Sequence, residues 1–125
     1  MTYCPAPEPV TALFRFATDT RAVAAGQTVF RTGDTGDVLY VVQQGEVELR
    51  VQDRLVAVVS SGGILGEMAL IDHRPRSATA VATVDSTLVP VDEVHFLRLV
   101  QHTPNFALHV MQVMADRLRK MNALD

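Results

Sequence analysis

The chain has 125 residues, 48% of them hydrophobic, and a net charge of −3. That is enough for one domain with a buried core, and the wrong sign for a protein whose main partner is nucleic acid. No apolar run approaches the ~20 residues needed to span a bilayer. The N-terminus lacks a basic segment followed by an apolar stretch, so no secretory signal is visible. The single cysteine, Cys4, excludes an internal disulfide and fits a reducing, cytoplasmic compartment.

Residues 1–9 carry Pro5, Pro7 and Pro9. They form a flexible leader that cannot be a regular helix. Residues 10–125 read as a single domain. From Val10 to Ala17 the spacing of Leu13, Phe14, Phe16 and Ala17 suits one or two helical turns. Residues 21–91 are strand-like, with short runs rich in Val, Thr, Leu and Tyr. Gly and Asp turns punctuate them at Gly26, Gly33-Asp34, Gly36-Asp37, Gly45, Asp53 and Gly62-Gly63. Val47-Glu48-Leu49-Arg50-Val51 alternates apolar and charged residues, the pattern of a strand with one face buried. Pro90 predicts an edge or terminal strand position. Many short strands with regular turns predict a mainly β fold with flanking helices, a jelly-roll-like barrel.

Residues 92–122 are helical. Asp92 is a natural N-cap for a helix over 93–101. Thr103-Pro104 starts a second helix, with proline at its first position. On that helix Ala107, Met111, Met114, Leu118 and Met121 form one apolar stripe, and Phe106, Val110 and Val113 an adjacent one. One stripe suffices for docking on the barrel. The second predicts a further contact, most simply a homodimer through the C-terminal helix.

The residues with chemistry to offer lie in 66–80, GEMALIDHRPRSATA. Gly66 lets the backbone come close to an anion, because no Cβ stands in the way. The amides of Glu67, Met68 and Ala69 would open a short helix, where negative charge is favoured. Arg76 can fork two N–H donors onto phosphate oxygens. Ser77 adds a hydroxyl. Glu67 has the wrong sign for a phosphate and is better explained as the acceptor for a sugar hydroxyl. Alone, Arg76 would read as a surface arginine pairing with Asp72, and Ser77 as a turn hydroxyl. Their position after Pro75 and before Ala78, at this distance from Gly66-Glu67, favours a ligand.

This run resembles the phosphate-binding cassette of cyclic nucleotide-binding domains. Matching positions continue upstream, with Phe30-Arg31-Thr32-Gly33-Asp34, then Val38-Leu39-Tyr40-Val41-Val42, then Gly45-Glu46 opening the next strand. The resemblance covers nearly the whole chain and includes the spacing. It implies the double-stranded β-helix of that family and a cyclic nucleotide ligand, cAMP first and cGMP as the alternative. It implies that Glu67 holds the ribose 2′-hydroxyl, and that Arg76 and Ser77 hold the cyclic phosphate with the backbone of Gly66 and its neighbours. Leu49, Val56, Val59, Ile64 and Leu65 become candidates for the apolar floor under the purine. Asn122, at the end of the last helix beside Met121, becomes a candidate for the base edge. One position departs from the family: Gly62-Gly63 stands where relatives often have Gly-Asp, and the turn is expected to survive without the aspartate.

No nucleophile elbow, no carboxylates paired across a cleft and no nucleotide triphosphate loop is present, so the expectation is a binding module rather than an enzyme. His95, His102 and His109 recur every seven residues, but Pro104 interrupts the helix that would align them, so no metal site is expected. His73 and Arg74 read as solvent-facing loop residues. Arg117, Arg119 and Lys120 read as cations that complement the C-terminal end of the helix dipole. The bacterial activators of the family continue into a helix-turn-helix, which this sequence does not include, so direct DNA binding is not expected. The expected function is a stand-alone regulatory sensor that relays binding through its C-terminal helices. The competing expectation is a ligand-silent dimerisation or protein-interaction domain on the same fold.

Overall fold

The computed structural model describes residues 14–122. The leader and residues 10–13 of the expected first helical turns lie outside the described residues. Eight strands and three helices follow in chain order among those residues. The strands are β1 (Arg21–Val23), β2 (Thr28–Phe30), β3 (Leu39–Gln44), β4 (Glu46–Val51), β5 (Arg54–Ser60), β6 (Ile64–Leu65), β7 (Thr79–Ala82) and β8 (Ser86–Val91). The helices are α1 (Glu67–Asp72), between β6 and β7, then α2 (Glu93–His102) and α3 (Pro104–Asn122). The strands pair antiparallel into two four-stranded sheets, ordered β1-β8-β3-β6 and β2-β7-β4-β5. The mainly β roll with flanking helices is therefore the observed fold.

Period-two alternation decides which side chains fill which layer. On β4, Val47 and Leu49 point inward and are almost fully buried, while Glu48 and Arg50 face out and pair with each other at 3.1 Å. The β4–β5 hairpin turns at Gln52-Asp53, both with positive φ (51° and 64°). That matches the turn whose twist suits a two-residue hairpin. The sheet containing β3 is buried on both faces. Leu39 and Val41 join a cluster under the helices, whereas Tyr40 and Val42 face the cluster between the sheets. On β8, Val89 and Val91 face the helices and Leu88 the inter-sheet core. Pro90 is the penultimate residue of β8, opposite Tyr40, near the end of the strand as expected. It is tolerated because β1 pairs only with Ser86 to Leu88, so no strand flanks Pro90 on that side.

The Gly62-Gly63 turn forms without the family's aspartate. Gly62 N–H donates to the Val42 carbonyl at 2.7 Å, and Gly63 N–H to Ser60 at 2.8 Å. The Ser61 hydroxyl ties the turn to the Gln43 carbonyl at 3.0 Å.

The Asp92 carboxylate accepts from the His95 amide at 2.8 Å and caps α2. α3 docks through Phe106, His109, Val110, Val113 and Arg117, all buried. Phe106 is fully enclosed between Phe14 and Phe96, with ring centroids 5.9 and 5.8 Å away. Truncating such a residue costs about 3–5 kcal/mol. The two expected stripes are thus redistributed. The stripe that docks is the Phe106–Val110–Val113 one, continued by Arg117. In the other, Met111 and Leu118 are exposed, while Met114 and Met121 pack against the cores.

Candidate ligand-binding site

The chain reverses sharply between β6 and α1 at Gly66, whose φ of 77° lies in the left-handed region. Glycine is required there by conformation and by space. A Cβ at Gly66 would stand 2.5 Å from Nη1 of Arg76 and 3.3 Å from the Phe30 ring. Glu67 therefore begins α1 pointing inward, and it is only 2% exposed.

Burying a carboxylate is costly unless a cation and hydrogen bonds meet it. The cation comes from α3, fifty residues along the chain. Nη1 of Arg117 donates to both carboxylate oxygens of Glu67, at 2.8 and 2.9 Å. Nη2 of Arg117 donates to the Ile64 carbonyl at the end of the roll. Arg117 was expected to act only on the helix dipole. One signal in the sequence pointed elsewhere: it continues the Phe106, Val110, Val113 spacing, so it is an arginine on an apolar helix face.

Arg76 is 5% exposed. Its backbone is clasped by the β2–β3 loop, with the Arg76 amide donating to the Asp34 carbonyl and the Gly33 amide to the Arg76 carbonyl, each at 2.8 Å. Its guanidinium donates to the carbonyls of Gly66 at 3.0 Å and Val38 at 2.9 Å. Nε is buried with no partner. Burial pushes the Arg76 pKa down, against the opposing pull of Tyr40, Asp37, Glu67 and Asp34. Asp72 does not pair with it; that carboxylate accepts from the Arg74 amide. Among the described residues no ion pair to a carboxylate is formed by Arg76.

Arg76 and Glu67 line one pocket together with Phe30, Leu49, Gly66, Met68, Ala69, Ser77, Ala78, Arg117 and Met121. The non-atom space among them is about 360 Å³, part of it open to solvent. Of the expected site residues, Gly66, Glu67, Met68, Ala69, Arg76, Ser77 and Leu49 are brought together here. Val59 and Leu65 are not on the wall. They lie in the inter-sheet core behind it, 4% and 0% exposed, because the twist of the roll turns them inward. Ile64 faces the helices instead. Asn122 is exposed and does not line the pocket; Met121, one residue earlier, takes the inward position. No cluster of metal-ligating side chains occurs among the described residues. His109 is buried on α3, away from His95 and His102 on α2. No described helix is long and apolar enough to cross a membrane.

The two-sheet roll thus carries a buried arginine and a buried glutamate on the wall of one pocket. The profile of the cyclic nucleotide-binding domain family matches residues 20–103, and the chain belongs to that family. It is 35% identical over 105 residues to the cyclic AMP receptor protein of Thermus thermophilus, covering 80% of this chain and 49% of the relative. It is 44% identical over 89 residues to a cAMP-dependent protein kinase regulatory subunit of Blastocladiella emersonii, covering 66% and 22%. A solved structure described under a cyclic-GMP-dependent signalling pathway that regulates bacterial phytopathogenesis superposes with a TM-score of 0.75 at 31% identity. That superposition covers 93% of this chain and 96% of the other. The chain spans about half or less of the length of the curated relatives it matches.

Proposed function

We propose that this pocket binds cAMP, with cGMP as the competing ligand, and that the chain is a regulatory module rather than an enzyme. The observation that carries the reading is Arg76: a guanidinium almost wholly buried, which among the described residues is bonded to two carbonyls and has Nε unpartnered. A buried cation with no carboxylate in contact is costly, and an anion that enters beside it recovers part of that cost. A cyclic phosphate carries one negative charge and oxygens spaced for the guanidinium fork. Ser77, exposed at the pocket rim, offers a hydroxyl to the same group. Glu67 faces the same space and accepts a ribose hydroxyl.

The Glu67–Arg117 pair supports a route for the signal. A sugar hydroxyl donating to Glu67 competes with the Arg117 N–H groups for the same oxygens, so binding acts on α3. Arg117 and Met121 both line the pocket, so a nucleotide seated there meets the C-terminal end of α3 directly.

A second reading rests on a different observation. Leu108, Met111 and Leu118 are 53%, 57% and 43% exposed along one face of α3. Their three- and seven-residue steps keep them on one seam. They support a homodimer through α3, either as the output of ligand binding or as the whole function of a ligand-silent domain.

A thermal-shift panel of cAMP, cGMP and cyclic dinucleotides separates these readings. The expected result is a midpoint that rises with cAMP concentration. A flat response to every ligand, together with a stable dimer, would leave only the second.

A further inference from the structure

Arg76 is not held in the pocket by hydrogen bonds alone. Its guanidinium carbon sits 4.3 Å from the centroid of the Phe30 ring and 5.9 Å from that of Tyr40. Phe30 and Tyr40 are themselves stacked, with centroids 6.4 Å apart and planes 22° from parallel. A second cation closes the far end: Arg21 on β1 lies 5.7 Å from the Tyr40 ring and donates to its hydroxyl at 3.1 Å. Arg21 also donates to the Val29 carbonyl at 3.1 Å, which fixes it to β2. On the side of Gly36 the guanidinium is covered by backbone. A Cβ built on Gly36 would lie 2.3 Å from Nε of Arg76.

We propose that Phe30, backed by Tyr40, is a positioning residue: an aromatic shelf that holds the Arg76 guanidinium flat and charged for the phosphate of the ligand. This rests on the cyclic nucleotide reading of the pocket and extends it to two residues outside the cassette. The physical point is which part of the guanidinium each partner uses. A carboxylate partner would occupy the edge N–H groups, and an arriving phosphate would have to displace it. An aromatic ring attracts the cation through its face. It leaves the edge free. Of the five guanidinium N–H groups, one on each Nη is spent on the Gly66 and Val38 carbonyls, and the one on Nε is spent on nothing. The shelf thus holds a charge in place without neutralising it. Leucine or isoleucine at position 30 would be as apolar but would supply no such attraction. Phe30 is 8% exposed, so its ring is already held on its other sides by the core.

The test uses the full chain and cAMP as titrant. Phe30→Leu is expected to bind cAMP about tenfold more weakly, whereas Phe30→Tyr stays within about twofold of the parent. In the unliganded parent, the Arg76 Nε–H proton is expected upfield of those of the other arginines, because its guanidinium carbon lies 4.3 Å from the Phe30 ring centroid, and Phe30→Leu or Phe30→Ile should remove that displacement. Equal cAMP affinity in the parent and Phe30→Leu overturns the shelf and leaves the ligand reading standing. Equal losses in Phe30→Leu and Phe30→Tyr also overturn it, since shape and not ring charge would then matter. An unshifted Arg76 Nε–H in the parent does the same even if the leucine and isoleucine variants fail to fold. A parent that binds neither cAMP nor cGMP removes the ligand reading itself, and the shelf with it.

Discussion

Glu67 and Arg117 meet in a buried, two-oxygen ion pair, 2.8 and 2.9 Å long, across fifty residues of sequence. Glu67 opens α1 and Arg117 lies near the end of α3, so this contact ties the pocket to the last helix. Removing one partner leaves the other as an uncompensated buried charge. Arg117→Met is expected to lower unfolding free energy by about 3–5 kcal/mol. Glu67→Gln combined with Arg117→Met should recover much of that loss, because no lone charge then remains. Urea unfolding of the single and double variants checks this. Additive losses would show that the pair is not the source.

Arg76→Ala should cost about 3 kcal/mol of cAMP binding, roughly two orders of magnitude in Kd, because it removes a charge-assisted contact to a desolvated phosphate. Isothermal titration reads this directly. Unchanged affinity would refute the assignment of Arg76.

Gly66→Ala should fail in two ways. The left-handed backbone, φ 77°, costs about 1–2 kcal/mol for any residue with a Cβ. The new methyl also stands 2.5 Å from Nη1 of Arg76, so the guanidinium must leave its seat. Lower thermal stability together with weaker cAMP binding is the expected pair of results. A stability loss with full affinity would show that the position of Arg76 does not matter.

His109 gives a pH dependence with a definite sign. It is 1% exposed, and neither ring nitrogen has a hydrogen-bond partner among the described residues. Burial, with Arg117 adding to it, pushes its pKa below the usual 6.5. The unfolded chain then takes up a proton near pH 6.5 while the folded chain resists it. Folding stability is therefore intact above pH 6.5 and falls as the pH drops below it. His109→Leu should flatten this part of the stability profile. A parent and variant with parallel profiles between pH 7 and 5 would show that other groups govern it.

The exposed seam of Leu108, Met111 and Leu118 predicts self-association. Leu108→Lys with Leu118→Lys should convert a dimeric parent to a folded monomer, read by light scattering after size exclusion, because both residues are exposed and the core does not depend on them. A monomeric parent would overturn the homodimer.

The roll, the hairpin at Gln52-Asp53 and the cap at Asp92 were legible because each follows from local spacing and turn chemistry. The same is true of the helix start at Pro104. The grouping of four pocket residues was legible for a related reason. Gly66, Glu67, Arg76 and Ser77 lie within twelve residues, so their pattern survives in one dimension. What lay beyond the sequence was every contact between distant segments. The sequence placed Arg117 among dipole-complementing cations, yet the docking of α3 puts it on Glu67. The sequence offered Val59 and Leu65 as floor residues and Asn122 as a base contact, but strand twist and helix rotation hide the first two in the core and leave the third in solvent. A residue's type and neighbours fix what it can bond. Only packing fixes which way it faces and what charge waits there, because a buried group has to find its partner wherever the fold provides one.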